Sequence, residues 1–213
     1  MTGGAEPVAA ILEALEEEEG TLPPKKRLLV IASVECFAEV GFDAASTRMI
    51  AARAGVAEAT IFRHFNTKKE LLLRISRPVL NRLLVPAVAN EALRLARDSG
   101  GDFRQFARQI LTSRLQFADR YAPFVKIMLQ EVIVNAELRG LLAGSIDKAF
   151  TEALAKALEG FRQTGQIPDI PVGQFLRMAI SLVAGYYVTR SIFAPGEWDD
   201  ASEIEGIIDR LVA

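Results

Sequence analysis

Side chains suited to phosphate or base recognition recur through one short segment, residues 47–68. Thr47 falls in the first turn of a predicted helix, where its hydroxyl and the free backbone N–H groups could bind a phosphate. Arg63 has the planar fork of donors that pairs with O6 and N7 of guanine, although the same group could instead contact a phosphate. Lys68 begins a further helix and could bind a phosphate; a solvated lysine is the alternative.

Two more side chains of this segment have less specific chemistry. Glu58 would repel phosphates unless it accepts a hydrogen bond from cytosine N4, and the alternative is pairing within its helix or with the helix dipole. His64 is the only histidine of the chain, which disfavours a His-based metal site or catalytic triad. It could donate to a phosphate or pack as a structural histidine.

Two short helices must position these side chains. Gly55 supplies the positive φ with which a helix ends, and apolar residues recur at helical spacing on both sides of it. The apolar positions are Ile50, Ala51 and Ala54, then Ile61, Phe62 and Phe65. Two helices joined by a short Gly-containing turn form a helix-turn-helix, whose second helix can enter a DNA major groove.

The composition limits the fold and the compartment. A chain of 213 residues that is 50% hydrophobic can bury a substantial core. Helix formers dominate, so we predict an all-α fold. The single cysteine, Cys36, excludes an internal disulfide and lies in an apolar helical pattern, so we expect a buried thiol and a reducing compartment. The absence of a basic N-terminal signal and of a membrane-length apolar run predicts a cytoplasmic protein.

Charge is uneven although the formal net charge is only −2. Residues 1–24 contain six acidic and no basic residues, whereas residues 25–82 contain eleven Lys or Arg against five Asp or Glu. The basic excess coincides with the helix-turn-helix, where release of phosphate counterions would use it. We predict a mobile acidic tail or a loose extra helix over residues 1–24; an acidic arm that competes with DNA is the alternative.

Start and stop signals predict helices on both sides of this segment. One covers 25–40 and ends at Gly41. Another starts at 68 behind a Thr67-x-x-Glu70 capping box, kinks at Pro78 and stops before Pro86. The remaining predicted helices cover 86–98, 102–119, 123–135, 145–164, 172–193 and 202–212, the last behind a second capping box at Ser202 and Glu205.

Six short runs across residues 25–75 stand at a specific combined spacing: Gly41-Phe42, Ser46-Thr47, Ile50-Ala51, Ala54-Gly55-Val56, Thr60-Ile61-Phe62-Arg63-His64-Phe65 and Lys68-Lys69-Glu70-Leu71. This pattern resembles the tetracycline-repressor (TetR) family of bacterial transcription regulators. The resemblance implies a three-helix DNA-binding domain over 25–70. It also implies a larger helical domain over 71–213 that binds a small-molecule effector and dimerises through its last two long helices.

The resemblance also implies roles for single residues. The positions that commonly contact the DNA backbone are Thr47, Thr60, His64 and Lys68, and those that commonly face bases are Glu58, Ala59 and Arg63. The sequence departs from the family pattern at Ala57, where a Ser or Thr cap is usual, at a cost of about 1 kcal/mol that Glu58 partly offsets. It also has His64 where Tyr is commoner, and either side chain can donate to a phosphate.

The long predicted helix over 172–193 is apolar nearly all round, so we expect burial on more than one side. One side would pack within its own domain and another on a twin subunit, where helix 202–212 would complete a four-helix bundle. The predicted interface residues are Phe175, Ala179, Leu182, Gly185, Tyr186, Ile204 and Ile208. A buried helix of a monomer is the alternative.

Several aromatic residues and one methionine could line an apolar effector pocket, with ordinary core packing as the alternative. These residues are Phe103, Phe106, Phe117, Tyr121, Phe124, Met128, Tyr186 and Tyr187.

Together these patterns predict a homodimeric, ligand-responsive repressor that binds a palindromic operator and is released by a small apolar or aromatic effector. An activator of the same architecture remains open, as does an α-helical ligand-binding protein or enzyme with a vestigial helix-turn-helix. No paired-carboxylate motif, Cys/His constellation or Gly-rich phosphate loop occurs. We therefore expect no catalytic activity, no metal site and no cofactor, and we expect double-stranded DNA rather than a membrane as the partner.

Overall fold

The computed structural model describes residues 5–80, 85–146 and 148–212. Every regular element in these ranges is helical, which confirms the all-α class. The helices are α1 Ala5–Glu19, α2 Pro24–Val40, α3 Thr47–Ala54, α4 Ala59–His64, α5 Lys68–Pro78, α6 Val85–Asp98, α7 Phe103–Arg120, α8 Ala122–Val134, α9 Ala136–Ser145, α10 Lys148–Gln163, α11 Val172–Val188 and α12 Asp200–Val212, with a π-helical segment Thr189–Phe193 after α11. The chain divides into two compact units, residues 1–85 with 118–146 and residues 86–117 with 147–213.

Helix α2 is central to the first unit. Pro24 occupies its first turn, where the missing N–H costs nothing, and Gly41 ends it at a φ of 83°. Its buried residues include Leu29, Val30 and Phe37, and it packs against α3 and α8. The core of the first unit therefore joins the helix-turn-helix to a helix that lies much later in the chain.

Helix α1 lies within the range that the sequence predicted to be a mobile acidic tail or a loose helix. In the structure Ile11, Leu12 and Leu15 are buried in the core of the first unit, and α1 packs against α2 and α5. Three fully or nearly fully buried aliphatic side chains stabilise this contact by burying apolar surface. Glu13 and Glu16 to Glu19 are half-buried or exposed, so the apolar stripe and not the charge decides where this helix lies.

Helix α5 begins at the predicted capping signal. The Thr67 hydroxyl accepts a hydrogen bond from the Glu70 N–H at 3.0 Å. The Glu70 carboxylate accepts from the Asn66 N–H at 3.0 Å, one residue earlier than a regular capping box would place it. Pro78 is the last α-helical residue, and Val79 continues in helical conformation. The predicted end of this helix before Pro86 lies outside the described residues.

The second unit has an aromatic core. The ring of Phe161 lies 5.5 Å from that of Phe103 and 5.2 Å from that of Phe106, and Phe175 lies 6.0 Å from Phe103. Helix α12 adds four buried aliphatic residues to this unit, Ile204, Ile207, Ile208 and Leu211. The four rings join α7, α10 and α11, so the aromatic side chains hold these helices together.

One helix and one helix cap differ from the sequence prediction. Helix α9 was not predicted, because Gly140 and Gly144 lower its helix propensity. The Asn135 side chain nevertheless caps it by accepting from the Leu138 N–H at 3.2 Å, and Leu138 is fully buried. The predicted Ser202–Glu205 capping box is wrong, because α12 begins earlier and the Asp199 carboxylate accepts from the Ser202 N–H.

Candidate nucleic-acid interface

Helix α3 is closed at both ends by its own sequence. The Ser46 hydroxyl accepts from the Met49 N–H at 3.1 Å, as predicted for an N-cap. At the other end Gly55 has a φ of 66°, its N–H donates to Ala52 and the Val56 N–H donates to Ala51. This pair of bonds is a Schellman motif, which turns the chain sharply toward the next helix.

Helix α4 begins without a side-chain cap among the described residues, as the sequence predicted from Ala57. Its first bonds are backbone only: the Thr60 N–H donates to Ala57 at 2.8 Å and the Ile61 N–H donates to Glu58 at 2.9 Å. Ile61 is fully buried and Phe65, just after the helix, is 2% exposed. These two apolar side chains fix α4 against the unit and decide which side faces outward.

The outward side of α4 presents Glu58, Ala59, Phe62 and Arg63, all exposed. The sequence grouped Phe62 with the apolar core positions, and that prediction is wrong because Phe62 is 52% exposed. We define these four residues as the α4 face. A basic, an acidic and an aromatic side chain on one short helix can offer a guanine donor, an acceptor and an apolar contact for a thymine methyl group.

Thr47 and Glu58 are joined directly. The Thr47 hydroxyl donates to Glu58 Oε1 at 2.5 Å, which links the first turn of α3 to the start of α4. Thr47 can therefore donate to a phosphate only if this bond breaks. The contact also holds the Glu58 carboxylate at the beginning of α4. Arg63 lies near the other end of the helix and is the positively charged residue of the α4 face.

Lys68 is directed into the protein. Its ammonium donates to the carbonyl oxygens of Phe42 at 2.5 Å and Asp43 at 3.1 Å, and it lies 4.4 Å from the centre of the Phe42 ring. Phe42 and Asp43 belong to the link between α2 and α3. Two of the three ammonium donors thus hold this link, and one remains for any other acceptor.

His64 and Thr60 are less accessible than the α4 face. Thr60 is 9% exposed and His64 is half-buried. Burial lowers the pKa of His64, and the positive charges of Lys26, Arg63, Arg74 and Lys25 lower it further. The imidazole is therefore neutral near pH 7, and an approaching phosphate would favour its protonated form.

The basic residues near the helix-turn-helix divide into paired and unpaired groups. Lys26 and Arg74 both pair with Glu19, and Arg27 pairs with Glu16, so two carboxylates of α1 pair with three cations. By contrast, the exposed cations Lys25, Arg48 and Arg63 have no ion pair within the described part of the chain.

The residues predicted to line an effector pocket lie in both units. Phe103 and Phe106 belong to the aromatic core of the second unit, whereas Phe124 lies in the core of the first unit and Met128 packs against it. Tyr121 is also buried in the first unit, while Phe117 is half-buried in the second.

Tyr186 and Tyr187 are buried in the second unit, where Arg190 lies against both rings. The Tyr186 hydroxyl donates to Asp200, and burial together with this carboxylate raises the pKa of Tyr186. Tyr186 thus ties the end of α11 to the start of α12.

Two surface clefts open within the second unit. One of about 420 Å³ is lined by residues of α6 and α10, including Leu93, Ala157 and Phe161. The other, of about 170 Å³, includes Leu158 and Phe175. None of the predicted effector residues lines either cleft.

The predicted dimer residues are mostly internal to one subunit. Phe175, Tyr186, Ile204 and Ile208 are buried, Ala179 and Leu182 are half-buried, and Gly185 is exposed. The exposed side of α11 and the π-helical segment instead carries Ile180, Ala184, Ile192 and Phe193, which we define as the α11 face. Three of these are large apolar residues, 50% to 78% exposed.

None of the described helices is long and apolar enough to cross a membrane. Within residues 5–80, 85–146 and 148–212 there is also no group of three His, Cys, Asp or Glu side chains that could hold a metal ion. Cys36 is buried, as predicted, and burial raises the pKa of its thiol.

A capped α3, a Schellman turn and an α4 with an exposed polar face define a helix-turn-helix DNA-binding domain on an all-helical chain. Residues 29–75 match the model of the bacterial regulatory proteins of the tetR family. The helix-turn-helix segment of this chain is therefore similar to the DNA-binding domain of that family.

Individual relatives are more distant. The chain is 29% identical over 100 residues to the HTH-type transcriptional repressor Rv1474c of Mycobacterium tuberculosis, a match that covers 47% of this chain and 52% of the relative. It is 24% identical over 149 residues to the HTH-type transcriptional regulator RutR of Escherichia coli, covering 68% and 66%. The chain thus spans about half to two thirds of the length of these curated relatives.

Solved structures share the fold over most of the chain. The fatty acid degradation regulator FadR of Bacillus halodurans is 19% identical, with a TM-score of 0.64 and coverage of 91% of this chain and 97% of that one. The transcriptional regulator FadR of Bacillus subtilis in complex with stearoyl-CoA is 19% identical, with a TM-score of 0.63 and coverage of 88% and 98%.

Proposed function

We propose that the protein is a homodimeric transcriptional repressor that binds a two-fold symmetric operator in double-stranded DNA and is released by a small-molecule effector. The observation that carries this proposal is the α4 face, which exposes Arg63, Phe62 and Glu58 on a helix anchored by Ile61. Phe62, between Glu58 and Arg63 on this face, leaves 52% of its surface uncovered in one subunit. In a major groove all three side chains have partners.

Base and backbone contacts would be divided between helices. Arg63 would read guanine, Phe62 would contact a thymine methyl group, and Ala59 would allow close approach of the helix to the bases. Exposed Lys25 and Arg48 would contact phosphates. From the residues first predicted for the backbone, we retain His64, and Thr47 once its bond to Glu58 breaks. Thr60 is only 9% exposed, so we assign it to the fold, and we assign Lys68 chiefly to holding the α2–α3 link.

Two copies of the protein would pair through the α11 face. Ile180 and Ala184 lie one turn apart on α11, and Ile192 and Phe193 follow in the π-helical segment. Exposed apolar residues aligned on one helix side are typical of a surface that a partner covers. A two-fold pair would present two α4 helices to half-sites about 34–36 Å apart, one turn of DNA.

The effector would act by shifting the equilibrium between two conformations of the protein that differ in DNA affinity. A ligand that binds the conformation with low DNA affinity more tightly than the other one reduces operator occupancy. The size of this effect is limited by the difference between the two ligand affinities. The names of the relatives support such a regulator: one is a repressor, and one structural relative is a transcriptional regulator in complex with stearoyl-CoA.

Selection of bound duplexes from a random DNA library tests this proposal without assuming an operator sequence. We expect enrichment of a two-fold symmetric site with half-sites about 10 base pairs apart. The Arg63→Ala variant should lose about 1–3 kcal/mol of discrimination at one base pair of each half-site while it still binds DNA at low salt.

An Arg94→Ala variant is the matched control, because Arg94 is an exposed arginine of the second unit that pairs with Asp98. It should select the same site as the wild type. Absence of any enriched duplex and of binding at low salt would refute the proposal, and a promoter reporter would separate repression from activation.

A further inference from the structure

Arg114 is a charged residue on the apolar side of α7 in the second unit. Leu111 and Leu115 beside it are buried, and its guanidinium lies 5.7 Å from the centre of the Phe117 ring. Its side chain is 20% exposed, whereas Arg104 and Arg108 on the outer side of α7 are 47% and 52% exposed. The sequence signal that identifies it is a basic residue at a helical core position.

The hydrogen bonds of Arg114 are incomplete. An arginine has one N–H on Nε and two on each of its terminal nitrogens. Nη2 donates to the Glu91 carboxylate and to the Ser113 hydroxyl, which uses that nitrogen fully. Nε and Nη1 are buried and have no acceptor in the described part of the chain, so three N–H groups of a cation are unpaired.

A purely structural role does not account for this arrangement. Burial lowers the pKa of Arg114, and the Glu91 carboxylate offsets that only in part. A buried cation with unpaired donors lowers stability, and an apolar side chain of similar size at this position would not have that cost. Such costly polar groups recur where a ligand supplies the missing acceptors.

We propose that Arg114 binds the carboxylate of a small organic acid whose apolar body packs beside Phe117. This inference rests on the proposed function, because it names the chemical class of the effector bound by the second unit. A carboxylate has two oxygens that only accept, which suits the unpaired N–H groups on Nε and Nη1. A neutral apolar effector, as the sequence suggested, would leave all three without an acceptor.

Calorimetric titration of the full-length protein with benzoate, phenylacetate, hexanoate and octanoate tests the assignment. Each acid is compared with its primary amide, which has the same shape without the charge. We expect at least one acid to bind, with its amide weaker by roughly ten- to hundred-fold, the factor expected when one or two charge-assisted hydrogen bonds are removed. If no acid binds, or if acids and amides bind equally, the proposal is refuted.

The double variant Glu91→Gln/Arg114→Met separates ligand binding from folding. A buried ion pair often contributes no net stability, so we expect the unliganded variant to unfold at the same denaturant concentration as the wild type or a higher one. The same variant should lose acid binding, while an Arg94→Gln control should keep it. Unchanged acid binding in the double variant would overturn the assignment.

Operator binding without ligand distinguishes this inference from the proposed function. If the double variant and the wild type both select the same duplex and no acid binds either, the carboxylate assignment is wrong and the regulator stands. If the wild type binds an acid through Arg114 but selects no DNA, the assignment of the carboxylate site is supported and the proposed function as a repressor is wrong.

Discussion

Replacement of Lys68 by methionine is the prediction that best separates a folding role from a DNA-binding role. The ammonium holds the carbonyls of Phe42 and Asp43 and lies over the Phe42 ring. Methionine keeps most of the length of the side chain but removes every donor. The link between α2 and α3 would then be without the described bonds from Lys68, and two carbonyl oxygens would need water instead.

The expected loss of stability follows from these interactions. A hydrogen bond from a charged donor contributes about 1.5–3 kcal/mol, and a partly exposed cation–π interaction adds about 0.5–1 kcal/mol. Lys68 is only half-buried, and holding a lysine side chain in place costs about 2 kcal/mol of rotamer entropy. We therefore expect a net destabilisation of about 1–3 kcal/mol, which a urea titration followed by circular dichroism would measure.

Lys69→Met is the matched control for this substitution. Lys69 is the next residue and pairs with Glu137 at 2.8 Å on the surface, where the two side chains are 45% and 60% exposed. An exposed pair of this kind contributes about 0–1 kcal/mol. The two adjacent lysines should therefore differ clearly in their effect on stability.

DNA binding decides between the two roles of Lys68. Under conditions in which Lys68→Met remains folded, we expect the slope of log K against log salt to equal that of the wild type. Removal of a phosphate ligand would instead reduce the slope by about 0.9 for each phosphate that is no longer neutralised. A variant with unchanged stability and a reduced slope would refute our assignment of Lys68 to the fold.

Two further predictions concern charge near α4. Glu19→Gln should release Lys26, whereas Arg74 would keep its pair with Glu70 at 3.7 Å. The salt slope of DNA binding should therefore steepen by about 0.9 if Lys26 reaches a phosphate, and Glu13→Gln should not change it. Equal slopes for the Glu19→Gln variant and the wild type would contradict a masking role for α1. Burial and neighbouring cations lower the pKa of His64 in the folded protein. As the pH falls, the unfolded state therefore binds a proton before the folded state does. The contribution of His64 to the free energy of unfolding should be fully present above pH about 6.5 and decrease below it. Urea midpoints across that range should be flatter for His64→Gln, and parallel profiles would show that His64 does not titrate in this way.

Local sequence signals predicted helix ends where a side chain or a glycine acts within a few residues. The Ser46 and Thr67 caps and the turn at Gly55 all formed as predicted, because each needs only neighbouring backbone groups. The Ser202 cap failed because Asp199 offers an equivalent oxygen three residues earlier. Local chemistry alone does not rank two candidate caps that lie three residues apart.

The sequence was a poorer guide to which residues of α4 and α11 are exposed. Helical periodicity gives an apolar side, but on a helix as short as α4 it does not say where that side ends, so Phe62 was assigned to the core. The same limit applies to α11, which is apolar nearly all round. Only the packing of α11 against α7, α10 and α12 separates buried Phe175 and Tyr186 from exposed Ile180.

The sequence by itself determined the all-α class, from its composition, and the helix-turn-helix with its resemblance to the tetR family over residues 29–75, from spacing and caps within a short segment. Tertiary structure alone decided that α1 packs into the core, that Lys68 bonds to Phe42 and that three buried donors of Arg114 have no acceptor among the described residues. Each of these depends on interactions between residues distant in the chain, and the burial that makes a charge costly exists only once those residues have packed together.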